Sequence, residues 1–233
     1  MQNKYLLEIS VESVDAAMAA ERGGAQRIEF CSNAGVGGTT PSALLLRSVR
    51  EGVRIPIVSM VRPRGGNFVY SDAEFEAMQR DVDAAKESGM DGVVLGLLDV
   101  DGQVDIGRTK QLVERARPLP VTYHRAFDEC IDLPRSLEDV VKAGATRLLT
   151  SGGKRIAPEA LGVLGDLVRI AGQRLIVMPG SGIHPGNIRE VVKKTEACEF
   201  HAGLSSVVAK PAENIGAFER EVRRLAAALG DCD

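Results

Sequence analysis

Eight short runs rich in Val, Ile and Leu recur along this chain, each bounded by Gly, Pro or charged residues. Runs of this length and composition are typical of buried β-strands. The segments between the runs have the periodicity of amphipathic helices, so the sequence predicts strands and helices in alternation. The predicted strands cover residues 5–10, 27–31, 55–61, 92–98, 120–127, 147–152, 174–180 and 198–204.

Short joints connect several predicted helices to the strands that follow them. The phrases GGAQRIEF, SGMDGVVL and AGATRLLT each place a Gly that can end a helix a few residues before a strand. Such joints are typical of repeated βα units. Ser13 and Ser71 precede helical segments as capping residues, and Glu74 completes a capping box with Ser71.

Eight βα units in a chain of 233 residues predict a single (β/α)₈ TIM barrel that spans residues 1–233. An open, doubly wound α/β sheet is the alternative. That fold usually carries a Gly-rich turn after its first strand, whereas Val11, Glu12 and Ser13 follow the first strand here. No change in composition along the chain indicates a second domain.

Composition and charge argue against several partners. The net charge is −3 and no basic stripe with interleaved aromatic residues appears, so nucleic acid is not expected as a partner. No apolar run approaches the roughly 20 residues that cross a bilayer, and no signal peptide is recognised, so we expect a cytoplasmic protein without membrane contact. The four cysteines form no C-x-x-C pair, which favours reduced thiols over a zinc site or disulfides.

Five polar residues fall near the expected carboxyl ends of strands, where TIM barrels carry their functional groups. Glu8 and Glu29 alternate with apolar neighbours and are expected to face the barrel axis. Arg62 ends the third strand, His124 lies late in the fifth, and His201 lies in the eighth. Because a buried carboxylate is costly unless it is paired, we expect these five residues to form one polar, catalytic layer.

Glycines and arginines in the loops after three strands indicate anion binding. Arg side chains bind carboxylates and phosphates with paired donors, and Gly-rich turns before helices expose backbone amides to anions. The candidates are Arg64, Gly65 and Gly66 after the third strand, Ser151 and Gly152 after the sixth, and Gly180 and Gly182 after the seventh. We expect Arg125 and Asp128 to form an ion pair that holds the loop after the fifth strand.

These groups would suit an enzyme that acts on a small anionic or phosphorylated metabolite. His124 or a glutamate would be the general base, His201 would orient it, and the loops would hold the anion. No Lys lies late in a strand, which disfavours a Schiff-base aldolase. No G-x-S-x-G elbow occurs either, which disfavours α/β-hydrolase chemistry.

Several long motifs along the chain also indicate a resemblance to a known protein family. They are RIEFCSNAGVGGTTPS, MVRPRGGNFVYS, DGVVLGLLDVDG, VTYHRAFD and LLTSGG. From about Glu8 to Ser206 the sequence resembles the CutC family, which is named for copper homeostasis. The resemblance implies a cytoplasmic (β/α)₈ barrel, a homodimer or higher homo-oligomer, and copper as a ligand.

The residues offer one candidate copper ligand. Cu(I) prefers thiolate and thioether ligands, and Cys31 lies in the first motif on the functional side of the barrel. Cys130, Met60 and Met178 are candidate neighbours, although none stands at a fixed spacing from Cys31. Copper binding and acid–base catalysis on a small metabolite therefore both remain open, and a non-catalytic scaffold is the third possibility.

Overall fold

A computed structural model describes residues 4–232 and confirms the predicted barrel. Eight parallel strands form one sheet in the order β7-β6-β5-β4-β3-β2-β1-β8, and a parallel bridge between Gly180 and His201 brings the outer strands together. The strands are β1 (Leu6–Val11), β2 (Arg27–Phe30), β3 (Ile57–Met60), β4 (Gly92–Leu95), β5 (Val121–Tyr123), β6 (Arg147–Thr150), β7 (Ile176–Pro179) and β8 (Glu199–Ala202).

Within residues 4–232, eight α-helices follow the strands and pack around them. They are α1 (Val14–Arg22), α2 (Ala43–Gly52), α3 (Asp72–Glu87), α4 (Ile106–Ala116), α5 (Leu133–Ala143), α6 (Leu161–Ala171), α7 (Ile188–Thr195) and α8 (Ile215–Gly230). Three short 3₁₀ helices cover Ala34–Val36, Arg125–Glu129 and Ala157–Ala160. Within residues 4–232, no helix has both the length and the apolar character that a membrane span requires.

The two-residue alternation of strand side chains explains the barrel interior. Along β2, Ile28 and Phe30 join the main apolar core between sheet and helices. Arg27 and Glu29 alternate with them and contact polar groups of other strands inside the barrel. A separate apolar cluster inside the barrel consists of Cys31, Val58, Met60 and Val94. The interior is therefore polar on one side and apolar on the other.

Both predicted helix caps are confirmed. The Ser13 hydroxyl accepts a hydrogen bond from the Ala16 amide at 3.2 Å. The Ser71 hydroxyl accepts from the Glu74 amide at 3.3 Å, while the Glu74 carboxylate accepts from the Ser71 amide at 2.8 Å. These bonds satisfy amides that would otherwise lack a partner at the first turn of α1 and α3.

All strands except β1 are shorter than the sequence predicts, which changes where two site residues lie. β5 ends at Tyr123, and His124 caps the 3₁₀ helix Arg125–Glu129 instead of lying in the strand. The Ala126 amide donates to His124 Nδ1 at 3.1 Å, which turns the chain away from the sheet. Arg62 likewise follows β3, whose last residue is Met60. Both side chains belong to the first residues of loops at the barrel mouth.

Candidate functional site

A cavity of about 860 Å³ opens at the carboxyl ends of the strands. Its volume lies within the range of small-molecule sites. Loops from most of the strands contribute to its wall, as the barrel fold requires. The residues that line it include Ser10, Glu29, Cys31, Met60, Arg62, Phe68, His124 and His201.

A network of buried ion pairs lies below this cavity and holds Glu8. Arg27 Nε donates to Glu8, and Arg27 Nη2 donates to Glu199 at 2.6 Å. Arg147 Nε donates to the same Glu199 oxygen at 2.7 Å, and His201 Nδ1 lies 2.7 Å from Glu8 Oε1. Burial opposes the ionisation of Glu8, but Arg27 and His201 outweigh it and lower the pKa of Glu8 to about 2. Glu8 is therefore a charged structural anchor beneath the cavity.

Glu29 differs from Glu8 because one of its oxygens has no hydrogen bond. Oε1 accepts from the Ser10 hydroxyl at 2.8 Å. Oε2 is 4.0 Å from His201 Nδ1, and it has no hydrogen-bond partner among the described residues. Burial raises the pKa of Glu29, and the neighbouring Glu8 adds to that effect. This side chain can hold or accept a proton at the cavity wall.

His201 lies between the two carboxylates. Burial alone would lower its pKa, but the charge of Glu29 and the hydrogen bond to Glu8 outweigh burial and raise it. The ligand atoms of Glu8, Glu29 and His201 all lie within 4.8 Å of one another, so these residues could also hold a cation. A cation there would compete with Arg27, which already neutralises Glu8.

His124 lines the cavity, and a backbone hydrogen bond fixes its ring. Because Nδ1 accepts from the Ala126 amide, the neutral ring carries its hydrogen on Nε2. Burial, followed by the charge of Arg62, lowers the pKa of His124 to about 3. The ring packs 5.0 Å from the Phe68 ring, and a Cβ on Gly96 would come within 2.4 Å of Nδ1. Of the two bases that the sequence offers, His124 or a glutamate, this geometry favours the glutamate.

Arg62 uses most of its donors on the loops of the mouth. Nη1 donates to the carbonyls of Val36 and Gly38 at 2.9 and 3.0 Å, and Nη2 donates to the Gly66 carbonyl at 2.8 Å. The guanidinium also lies 4.7 Å from the Phe68 ring centroid. Nε is buried. Arg62 therefore clamps two loops, and its guanidinium also interacts with the Tyr70 hydroxyl.

The structure separates Arg64 and Gly65 from the cavity. Arg64 Nε donates to Glu74 at 2.6 Å, and its guanidinium lies 5.2 Å from the Tyr70 ring. Further donors of Arg64 reach backbone carbonyls of its own loop. Gly66 lines the cavity, but Gly65 does not. The expected anion donors of this loop are consequently used to hold the loop itself.

The predicted amide donors after β6 bind an internal carboxylate. Asp128 accepts from the Ser151 amide at 3.0 Å, from the Ser151 hydroxyl at 2.9 Å and from the Gly153 amide at 3.0 Å. The Gly152 amide donates to the Thr150 hydroxyl at 2.9 Å. The expected pair of Arg125 with Asp128 is confirmed at 2.8 Å. Asp128 thus takes the place of the ligand anion that the sequence suggests.

The two glycines after β7 have different surroundings. The Gly180 amide donates to the Thr150 carbonyl at 2.9 Å, which joins β7 to β6. A Cβ on Gly180 would come within 2.4 Å of Leu149 Cδ1, so the position packs too tightly to admit a ligand. Gly182 has a φ of +70° and lines the cavity. Of the predicted anion-binding residues, Gly66 and Gly182 are the two at the cavity wall.

Cys31 lines the cavity beside a thioether. Its Sγ is 3.9 Å from the Ser10 hydroxyl and 3.7 Å from the Val11 carbonyl. Burial and the charge of Glu29 raise the pKa of the Cys31 thiol to about 12. A Cβ built on Gly38 would meet Cys31 Sγ and Met60 Cε, each at 3.4 Å. The two sulfur side chains therefore border the space that a side chain at position 38 would fill.

The other sulfur residues that the sequence offers lie elsewhere. Met178 Sδ is 3.3 Å from Arg27 Nη2, inside the ion-pair network. Cys130 packs near the Ala126 carbonyl and is not part of the cavity wall. His184, in the loop after β7, accepts from the Gly186 amide and also lies outside the wall. Met60 is therefore the candidate thioether ligand that lies near Cys31.

Sequence reasoning missed three members of the buried network, Arg27, Arg147 and Glu199. A signal for two of them is present in the sequence. Arg27 precedes Glu29 by two residues, and Glu199 precedes His201 by two, so strand alternation places each on the same face as its neighbour. Within the five-residue layer that the sequence predicts, Glu8 pairs with His201, and its other oxygen accepts from Arg27.

The chain is similar to known proteins over most of its length. Residues 5–206 match the CutC family. A CutC family protein of Chromobacterium violaceum is 48% identical over 204 residues, which cover 88% of this chain and 83% of that protein. The human copper homeostasis protein cutC homolog is 46% identical over 204 residues, which cover 88% of this chain and 75% of the human protein.

Solved structures show the same barrel. The crystal structure of a CutC protein from Streptococcus agalactiae has a TM-score of 0.80 and 31% identity, and covers 85% of this chain and 98% of that chain. Thiamine phosphate pyrophosphorylase from Pyrococcus furiosus has a TM-score of 0.66 at 18% identity, and covers 97% of this chain and 98% of that chain. The second likeness shows a shared fold alone.

Proposed function

Because the chain belongs to the CutC family, we propose that it serves copper homeostasis by binding Cu(I) at the mouth of its barrel. The observation that carries the proposal is the approach of Cys31 and Met60 to the same glycine, Gly38. A thiolate and a thioether are the soft ligands that Cu(I) prefers. Gly38 leaves room between them, because any larger residue would place a Cβ against both side chains.

Copper bound at this site would replace the proton of the Cys31 thiol. The raised pKa means that Cys31 carries its hydrogen at neutral pH, and metals bind the thiolate form. Copper would enter through the cavity, whose wall includes Cys31 and Met60. In this proposal copper is the cargo of the protein, held by a few ligands and released to another carrier.

A cytoplasmic location fits the state of the cysteines. Four free thiols are described in the structure, Cys31, Cys130, Cys198 and Cys232. Reduced thiols are typical of the cytosol, and a Cu(I) ligand must stay reduced to bind. The homo-oligomer that the family resemblance implies stays a prediction, which light scattering of the purified protein would test.

Anaerobic titration tests the copper site. Reduced protein competes for Cu(I) with the chromophoric chelator bicinchoninate, and the variants are Cys31→Ala and Met60→Leu. Cys130→Ala is the matched control, since this buried thiol lies outside the cavity. We expect one tight site that Cys31→Ala abolishes, Met60→Leu weakens and Cys130→Ala leaves intact. Stoichiometric binding that persists in Cys31→Ala would contradict the proposal.

A further inference from the structure

We propose that the barrel mouth is also an acid–base site for a small α-hydroxy carbonyl compound, with Glu29 as the base and His124 as the donor to the carbonyl oxygen. This inference does not depend on copper binding. Two atoms of cavity-lining residues carry it: Glu29 Oε2 and His124 Nε2 are buried and lack a hydrogen-bond partner among residues 4–232. Buried polar atoms are rarely left unpaired, so two of them on residues of one cavity wall indicate a ligand.

Glu29 and His124 are held by their other atoms, and the neighbouring Arg62 is held as well. Ser10 donates to the second oxygen of Glu29, and the Ala126 amide fixes the ring of His124. Carbonyls of two loops take the terminal nitrogens of Arg62. The side chains are 3%, 4% and 4% exposed for Glu29, His124 and Arg62, so their orientation is set by the fold. Such fixed groups are what a catalytic constellation requires.

The free atoms define the ligand by their chemistry. The N–H group at His124 Nε2 needs an acceptor oxygen, and the free oxygen of Glu29 needs a donor or a proton. A carboxylate or phosphate between these groups would be repelled by Glu29. A carbonyl oxygen is neutral when it binds and gains negative charge only as the reaction proceeds, which the His124 N–H then stabilises.

The cavity wall between Glu29 and His124 is apolar. Glu29 lies on β2 and His124 follows β5, and the inward residues of the strands between them are Val58, Met60 and Val94. Such a surface keeps water from the reacting carbon and strengthens the hydrogen bonds to the carbonyl oxygen. An uncharged carbon chain of a few atoms fits against this wall.

The reaction that these groups support is a proton shift between adjacent carbons. The C–H bond beside the carbonyl breaks, its proton goes to Glu29 Oε2, and its electron pair forms the C=C bond of an enediolate. Glu29 returns the proton to the former carbonyl carbon. The hydroxyl oxygen becomes the new carbonyl, and its proton moves to the former carbonyl oxygen through His124 Nε2. The product is an isomer of the substrate, so the step consumes no oxidant or reductant.

Two measurements test this site. Hydrogen exchange of dihydroxyacetone and dihydroxyacetone phosphate in D₂O is followed by NMR; the phosphorylated probe is included because Lys154 and Arg155 line the cavity rim. Calorimetry compares glycolohydroxamate, which mimics an enediolate, with glycolate. The variants are Glu29→Gln and His124→Phe. The control is His184→Gln, a histidine outside the cavity wall, and circular dichroism verifies folding of each variant.

We expect exchange on at least one probe and tighter binding of the hydroxamate than of glycolate by about tenfold or more. Glu29→Gln should lower exchange about 100-fold, as loss of a general base does. His124→Phe should remove the preference for the hydroxamate, and His184→Gln should change neither result. Equal affinity for the two compounds without exchange would overturn the proposal, as would exchange that survives in Glu29→Gln. Exchange is measured on protein without copper, so failure of the copper site would be seen separately.

Discussion

Arg27→Met tests whether the buried network anchors the barrel beneath the cavity. Methionine keeps much of the length of the side chain but removes the charge that neutralises Glu8 and Glu199. Glu199 retains Arg147, whereas Glu8 retains only its contact with His201 among the described residues. The main consequence is a buried carboxylate that has lost its strongest partner.

Two independent arguments give the magnitude. Removing one partner of a buried ion pair costs about 3–5 kcal/mol. In the wild type, the pKa of Glu8 falls from 4.5 to about 2 on folding, and a difference of this size corresponds to about 3 kcal/mol of stability. That stability is present above pH 4.5 and is lost as the pH falls towards 2. We therefore expect Arg27→Met to lower the free energy of unfolding by about 3 kcal/mol at pH 8.

Urea unfolding at pH 8 and pH 5, followed by circular dichroism and tyrosine fluorescence, measures this effect. Without Arg27 the pKa of Glu8 rises, so Glu8 takes up a proton at pH 5 and the penalty becomes smaller there. Arg174→Met is the matched control, because Arg174 pairs with Glu138 at the surface and should change stability little. A loss below about 1 kcal/mol at pH 8, or a loss that is equal at both pH values, would refute this account of the network.

Three further predictions address the site and the fold. Cu(I) affinity should rise about tenfold per pH unit between pH 6 and 9, since the pKa of Cys31 is about 12 and copper replaces its proton; a flat profile in the bicinchoninate competition would contradict this. Gly96→Ala should destabilise the protein by about 1–3 kcal/mol in urea unfolding, because its Cβ would meet His124 Nδ1 at 2.4 Å. Gly162→Ala, whose Cβ meets nothing, should not destabilise it. Ser71→Ala should lower stability by about 1 kcal/mol through loss of the α3 cap, and an unchanged urea midpoint would count against that role.

The fold was predictable because local signals agree along the whole chain. Apolar runs, capping residues such as Ser71 and the helix-ending glycines each point to the same βα repeat. Strand ends were less predictable. The predicted strand 120–127 continues past Tyr123, where β5 ends, and the hydrogen bond from the Ala126 amide to His124 shows where the chain leaves the sheet.

The sequence predicted which residues face the site, but it did not predict which of them pair with each other. Glu8 and Glu29 face the interior as alternation requires, and His201 lies between them. The contact of Glu8 with His201 depends on the register of β1 against β8, which are 193 residues apart for this pair and meet only when the barrel forms. The hydrogen bonds of Asp128 depend on the turn geometry after β6. There its carboxylate accepts from backbone amides that could otherwise bind a ligand.

Copper anomalous diffraction from crystals grown anaerobically with Cu(I) tests the central claim most directly. Data collected on both sides of the copper absorption edge locate the metal without reference to any assay. We expect one strong peak bonded to Cys31 Sγ with the Met60 thioether beside it. A copper peak at Glu8, Glu29 and His201, or none in the barrel mouth, would contradict the account.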